Sequence, residues 1–183
     1  MKINHCLNSA DDRSDSEGAA SDPSEALVAT AYHEAGHAVV AVSLGRLIDK
    51  VSIRPGNSPQ GKSRLGVCQL RKGRSKATRN EFEDDILILF AGMVAESNFT
   101  GQYCKQGAGQ DLQMVKRILQ QRVRNQKQFD RIFQRLLDKA EHVLDDEAHS
   151  QAVELVAKDL IERETISGRA VRHFFDQAVK KFE

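Results

Sequence analysis

Residues 30–45, TAYHEAGHAVVAVSLG, form the most apolar continuous stretch of this 183-residue chain and decide the expected fold. Apolar side chains lie almost all round a helix drawn through this stretch, which is typical of a central, buried helix. The helix is expected to begin shortly before it, because Asp22 can cap a helix, Pro23 suits a first turn and Glu25 occupies the capping-box position. Gly45 is a natural C-terminal glycine, so the helix is expected to end there.

A β-rich segment follows this helix, and the rest of the chain is predicted to be helical. Residues 49–54 (DKVSIR) alternate apolar and polar side chains, and residues 65–70 (LGVCQL) form a second short strand across a proline-containing loop. Thr78 and Glu81 form a capping box for the next helix, which continues through ILILFAGMVAES. A glycine-rich loop is predicted at residues 99–109. Four further helices are predicted at residues 110–125, 129–144, 147–164 and 168–182, and Ser167 is the expected cap of the last one.

The expected fold class is mainly α, a helical domain with a small antiparallel β-segment. Residues 1–21 are rich in Ser, Asp, Asn and Ala and have few large apolar side chains, so we expect them to form a disordered tail. Residues 22–183 are long enough to bury one hydrophobic core and are expected to form one domain.

Composition narrows the possible partners. The formal net charge is +1 and aromatic residues make up 5% of the chain, which argues against a nucleic-acid-binding surface. No apolar run reaches the length of a membrane span, and the polar N-terminal residues do not resemble a signal peptide. The three cysteines, Cys6, Cys68 and Cys104, are far apart and suit reduced thiols. The expected location is therefore the cytoplasm.

The central helix carries an H-E-x-x-H pattern, formed by His33, Glu34 and His37. On a helix, residues i and i+4 lie on one face with Cβ atoms about 5–6 Å apart, so both imidazoles can bind one Zn²⁺. Glu34 can then act as a general base on water at the metal. The alternative is two ordinary helix histidines, but buried histidines need partners, and a metal would serve both.

The surrounding sequence is similar to the peptidase domain of FtsH-type ATP-dependent zinc proteases. The metal-binding helix of that family resembles TAYHEAGHAVVAVSLG, and its following β-segment resembles VSIRPG and LGVCQL. Later stretches of the family resemble LFAGMVAES, GAGQDL (residues 107–112) and ERETISGRAVRHFF. The similarity covers residues 24–182 in the same order.

The resemblance implies that His33, His37 and Asp111 bind zinc and that Glu34 is the general base. Without it, Asp111 would be interpreted as a helix N-cap; a carboxylate at a helix start is also stabilised by the helix dipole. Glu96 is a competing candidate for the third ligand. It could instead accept a hydrogen bond from a ligand histidine and orient it, or be a solvated helix carboxylate.

The protein is expected to lack the AAA ATPase module and the membrane anchor of the family. The sequence also has Ala91-Gly92 where the family has Gly-Gly, and Ser97 where the family has a second acid after Glu96. It therefore resembles a stand-alone peptidase domain with a polypeptide substrate. A separate ATPase or a homo-oligomer is a possible partner, since the family forms ring hexamers. The alternative function is a non-catalytic zinc-binding interaction module that retains the peptidase fold.

Two other patterns have simpler interpretations. Residues 56–63 (GNSPQGKS) fit the phosphate-loop pattern, but a strand is expected after them where that pattern requires a helix, so no ATP binding is expected. Residues 71–76 (RKGRSK) are a short basic run that is expected to be a solvated loop.

Overall fold

The computed structural model describes residues 23–57, 63–64, 66–78, 80–104 and 108–183. The elements within these ranges are helices α1 Pro23–Ser43, α2 Glu81–Thr100, α3 Gly109–Gln120, α4 Gln126–Leu144, α5 Glu147–Arg163 and α6 Gly168–Phe182, with strands β1 Arg46–Ser52, β2 Gly56–Asn57, β3 Ser63–Arg64, β4 Val67–Arg74 and β5 Thr165–Ser167. The predicted class, mainly α with a small antiparallel sheet, is confirmed. The expected cap Asp22 and the expected tail at residues 1–21 lie outside the described residues.

Helix α1 is the centre of the fold and packs against α2, α5 and β1. Its second half is buried up to Val42, as the residues around the H-E-x-x-H pattern predicted, with no exposure at Ala35, Ala38, Val39, Val40 or Ala41. None of the described helices is both long enough and apolar enough to span a bilayer.

Small residues bring α1 and α2 unusually close together. A Cβ atom at Gly36 would lie 2.3 Å from the carbonyl oxygen of Ala91 and 2.6 Å from the Cβ atom of Ala95. Atoms cannot approach that closely, so only glycine fits at this crossing. The close contact brings the histidine face of α1 against the backbone of α2.

The larger sheet has the strand order β4-β1-β5, and both pairings are antiparallel. Val51, in the middle of this sheet, lies opposite Cys68 on β4 and Ile166 on β5. The sequence did not predict β5, because three residues between two helices form a strand only by pairing with β1. It also placed the basic residues 71–74 in a loop, whereas they extend β4 along β1.

Capping side chains mark where helices α2 and α6 begin. The predicted Thr78–Glu81 capping box is wrong, because α2 is capped by Asn80, whose side chain accepts from the backbone N–H of Glu83 at 3.3 Å. Asn80 lies where the chain turns into the helix, and asparagine is as good an N-cap as threonine. The predicted Ser167 cap of α6 is confirmed, since its Oγ atom accepts from the N–H of Ala170 at 3.2 Å.

Candidate metal centre

The two histidines of α1 lie one turn apart on its buried face, each with 8% of its surface exposed. Each ring is held through its Nδ1 atom. Nδ1 of His37 lies 2.7 Å from the carbonyl oxygen of Ile88, and Nδ1 of His33 lies 2.9 Å from Oε2 of Glu96. A carbonyl oxygen can only accept, so Nδ1 of His37 carries the proton and its Nε2 atom is left for another partner.

Asp111 brings a carboxylate to both Nε2 atoms. Its Oδ2 atom lies 3.0 Å from Nε2 of His33 and 3.2 Å from Nε2 of His37. The residue belongs to the first turn of α3, where the positive end of the helix dipole stabilises its charge. Side chains from two helices that are far apart in sequence thus meet at one point, which we call the metal centre.

The donor set of the metal centre fits a tetrahedral zinc ion. One ligand atom from each of His33, His37 and Asp111 lies within 4.8 Å of the other two. Ligand atoms bound to zinc at about 2.0–2.1 Å in a tetrahedron would be about 3.3 Å apart, close to the 3.0 and 3.2 Å that separate Oδ2 of Asp111 from the two Nε2 atoms. Two nitrogens and one carboxylate oxygen are also donors that zinc prefers, and three protein ligands leave one position for water.

Gly92 on α2 has no side chain, and this leaves room for the Nε2 atoms of the two histidines. A Cβ atom at this position would lie 2.5 Å from Nε2 of His37 and 2.8 Å from Nε2 of His33. From sequence, Gly92 was recognised only as part of a family pattern and was not identified as part of the site. The signal that could have found it is a glycine within a buried apolar helix, where it weakens the helix unless close packing requires it.

Glu34 lies beside the metal centre and is 7% exposed. Its carboxylate contacts the chain just before β4, because a Cβ atom at Gly66 would lie 2.6 Å from Oε1 of Glu34. Gly66 therefore allows the start of the sheet's edge strand to approach the carboxylate.

Opposite charges dominate the electrostatics of the metal centre. Burial lowers the pKa of His33, but hydrogen bonds to Asp111 and Glu96 outweigh it and raise the pKa to about 10. Burial would raise the pKa of Asp111, but hydrogen bonds from His33 and His37 hold that pKa well below its usual range. The carboxylate therefore holds protons on the imidazoles, and a cation at this position would have to displace them.

The structure brings His33, His37 and Asp111 together and places Glu96 at the other ring nitrogen of His33. Glu96 is thus positioned to orient a ligand, and the described donor group does not include it. The assigned roles of these residues remain predictions. Gly107, which begins the stretch that resembles the family's ligand-bearing loop, lies outside the described residues.

Comparison with known proteins agrees with this architecture. The model of peptidase family M41 matches residues 22–127, more than half of the chain. An ATP-dependent zinc metalloprotease FtsH of Protochlamydia amoebophila (strain UWE25) is 38% identical over 93 residues, which cover 49% of this chain and 10% of that protein. The FtsH of Syntrophobacter fumaroxidans (strain DSM 10017 / MPOB) is 41% identical over 87 residues, which cover 45% of this chain and 13% of that protein.

A chloroplastic ATP-dependent zinc metalloprotease FTSH of Medicago sativa aligns over a longer stretch, with 25% identity over 184 residues that cover 79% of this chain and 26% of that protein. Fold and site together define a helical domain with a histidine pair on its central helix. The chain belongs to peptidase family M41. It spans about a quarter or less of the length of the relatives named here, so the resemblance to FtsH-type proteases concerns their peptidase part.

Proposed function

We propose that this chain hydrolyses peptide bonds, with Zn²⁺ held by His33, His37 and Asp111 and with Glu34 as the general base. The convergence of two Nε2 atoms and one carboxylate oxygen at the metal centre is the observation that carries this proposal. Membership of peptidase family M41 supports the same reaction class.

The protein's own groups are arranged to keep these ligands in place. The carbonyl of Ile88 and the carboxylate of Glu96 hold the two imidazoles through Nδ1, so that the Nε2 atoms face Asp111. Such contacts fix ring orientation and raise ligand basicity. Zinc bound in a site of this kind supplies Lewis acidity, which lowers the pKa of water toward about 7 and polarises a carbonyl.

Glu34 is one residue from a ligand and is buried, so its carboxylate is held near the reaction without belonging to the described donor group. In the proposed reaction it accepts a proton from the attacking water and later donates it to the nitrogen of the leaving amine. A carboxylate in this role must be ionised before the attack, and a cation held by His33, His37 and Asp111 would favour that state.

The edge of β4 is the proposed binding site for an extended substrate. Among the described strands, β4 lies at one edge of its sheet and begins at Val67, directly after the Gly66 contact with Glu34. A peptide that adds a strand to this edge would pass beside the general base, with main-chain hydrogen bonds fixing its direction. Leu65, the first residue of the strand predicted from sequence, lies outside the described residues.

Glu34→Gln tests the mechanism, because the amide keeps the size of the side chain but cannot accept the proton. We expect the variant to retain one zinc per chain and to lose at least about 100-fold of the cleavage rate on unfolded casein, the usual range for a lost general base. Glu162→Gln, an exposed position on α5, is the matched control and should cleave at the wild-type rate.

Casein cleavage by Glu34→Gln at the wild-type rate would refute the assigned base. A wild-type protein that binds zinc but cleaves no unfolded substrate would instead favour the non-catalytic zinc-binding module. A protein that binds no zinc after expression with excess metal would refute both functions.

The partners and the location of the protein are further proposals. The relatives are named as ATP-dependent enzymes, so we propose that a separate ATPase or a homo-oligomer presents substrate to this chain, in the cytoplasm. Analytical ultracentrifugation distinguishes these arrangements, since a homo-oligomer sediments as a multiple of 20.4 kDa without any added protein.

A further inference from the structure

A cavity of about 580 Å³ lies between β1, β4 and the first turn of α6, outside the metal centre. Four of the side chains that line it are arginines, and we call it the arginine cavity; these are Arg46, Arg71, Arg169 and Arg172. The proposed peptidase reaction uses none of them. Three separate elements supply these residues, so the cluster is a product of the fold and not of one basic run.

The positive charge of the arginine cavity is only partly compensated. Asp49 is the one carboxylate among its described lining residues, and Asp85 pairs with Arg46 from outside the lining, which leaves four positive charges against two negative. Arg46 pairs with Asp85 at 2.8 Å, and Arg172 donates to the neutral Oγ atom of Ser75 at 3.3 Å. Arg71 and Arg169 form no ion pair with any other described residue, since the ion pairs found within those ranges involve other side chains.

The first turn of α6 adds to this field. Ser167, Gly168 and Arg169 line the cavity, so the N-terminus of a 15-residue helix faces it. The first backbone N–H groups of a helix have no partner within the helix and favour anions. A Cβ atom at Gly168 would lie 2.0 Å from the carbonyl oxygen of Ile48, so glycine alone lets this helix start come so close to β1.

We propose that the arginine cavity binds a compact polyphosphate anion, the chemical class of pyrophosphate and tripolyphosphate. All four basic side chains are arginines, whose planar guanidinium groups match phosphate oxygens in pairs. The volume lies within the range of about 300–1,000 Å³ usual for small-molecule sites. No aromatic side chain is among the described lining residues, so the site offers a phosphate group charge and hydrogen bonds but offers a nucleobase no stacking surface.

Isothermal titration of the full chain with sodium tripolyphosphate at about 0.15 M salt, the physiological ionic strength, tests this proposal. We expect saturable binding with one anion per chain, weakened at least about tenfold in Arg71→Ala and in Arg169→Ala. Arg71→Lys and Arg169→Lys should lie between these variants and the wild type, because lysine keeps the charge but loses the paired hydrogen bonds. Arg131→Ala removes an exposed arginine of α4 outside the cavity and is the matched control, with unchanged binding.

Three further measurements distinguish the arginine cavity from a nucleotide site, a polypeptide site and metal chelation. ATP should bind no more tightly than tripolyphosphate, and Lys62→Ala, in the stretch that fits the phosphate-loop pattern, should leave both affinities unchanged. Hexaglutamate should bind more weakly than tripolyphosphate. Tripolyphosphate that only removed zinc from the metal centre would do so equally in the arginine variants and the wild type. A tripolyphosphate affinity that falls only in Arg71→Ala and Arg169→Ala therefore reports binding to the arginine cavity and not chelation of zinc.

The proposal is overturned by the absence of saturable binding or by an equal loss in Arg131→Ala. Tighter binding of hexaglutamate would reassign the cavity to an acidic polypeptide. Tight ATP binding that disappears in Lys62→Ala would move the phosphate site to residues 56–63. Each of these outcomes leaves the peptidase proposal intact, because casein cleavage by Glu34→Gln tests that function separately.

Discussion

At the metal centre each charged side chain lies beside an opposite charge, whereas three of the four arginines of the arginine cavity form no ion pair with a described residue. Both sites combine residues that are far apart in sequence. The buried centre balances its charges internally, so a cation can enter only by replacing protons. The open cavity accumulates charge of one sign and can attract a ligand over a distance. Burial and charge compensation therefore distinguish the proposed metal site from the proposed anion site.

The largest effect on zinc affinity is expected when the compensating carboxylate of Asp111 is removed from the metal centre. We expect Asp111→Ala to weaken zinc binding by more than about 100-fold, because a ligand is lost and two buried imidazoles lose their shared partner. Glu96→Ala removes an orienting contact only, for which the usual loss is about 10–100-fold. Competition with a chelator of known affinity measures both values. A larger loss in Glu96→Ala would exchange the two assigned roles.

The next largest effect is expected when a side chain fills the space that Gly92 leaves beside the Nε2 atoms of the two histidines. In Gly92→Ala the new Cβ atom would lie 2.5 Å from Nε2 of His37, so we expect weaker zinc binding and a fall of about 1–3 kcal/mol in the free energy of unfolding, as overpacking usually causes. Gly109→Ala is the matched control, since its Cβ atom would meet no heavy atom within 4 Å. Urea unfolding of both variants, with and without zinc, measures the difference. Equal free energies of unfolding for the two alanine variants, with and without zinc, would show that zinc binding does not need the space at Gly92.

The change expected for a single pH unit is smaller than the loss on removal of Asp111, and it separates the two sites directly. The pKa of His33 in the metal-free protein is raised from 6.5 to about 10, so below that value zinc must displace a proton. We expect apparent zinc affinity to rise by at least about tenfold for each pH unit between about 7 and 9, because His33, and also His37 where it carries a second proton, must release protons to the solvent. Anion binding to the arginine cavity should stay constant over this range, because arginine does not lose its proton. Parallel titrations at several pH values measure both dependences.

Stability of the metal-free protein should change with pH in the opposite direction. A histidine whose pKa is raised on folding stabilises the fold fully below its unfolded value of 6.5, and this contribution is lost as pH rises through about 10. With zinc bound this loss is absent, because His33 would bind the metal without a proton on Nε2, and the rise of zinc affinity with pH adds to the stability of the folded protein. Thermal unfolding at about pH 6 and about pH 9, with and without metal, should therefore show opposite trends. The same trend in both forms would contradict the ion pair between His33 and Asp111.

The sequence predicted those features that depend on local spacing. The α1 helix follows from its apolar composition and the signals at its ends, and the shared face of His33 and His37 follows from the i, i+4 rule. Asp111 was identified only through the family resemblance, because nothing in local spacing indicates which distant carboxylate will reach the pair. Its residue type and its place at a helix start agree equally well with an ordinary N-cap.

Features that depend on tertiary pairing could not be predicted. Strand β5 has three residues and exists because β1 supplies its hydrogen bonds. Arg46, Arg71 and Arg169 meet only when the antiparallel sheet brings β1 and β4 beside the start of α6. The Asn80 cap was missed for a more local reason, since threonine and asparagine two residues apart are both good caps and the geometry of the turn selects between them.

The contact between Gly36 and α2 has a consequence for any library that randomises residues 33–37. A side chain at position 36 would collide with the carbonyl oxygen of Ala91, which backbone movement alone could relieve. Selection for activity would therefore recover glycine there about as strictly as it recovers the two histidines. A survey of tolerated substitutions would rank Gly36 with the reactive residues, although it contributes only the absence of a side chain. In this protein the five-letter pattern is effectively H-E-x-G-H, with one letter imposed by the neighbouring helix.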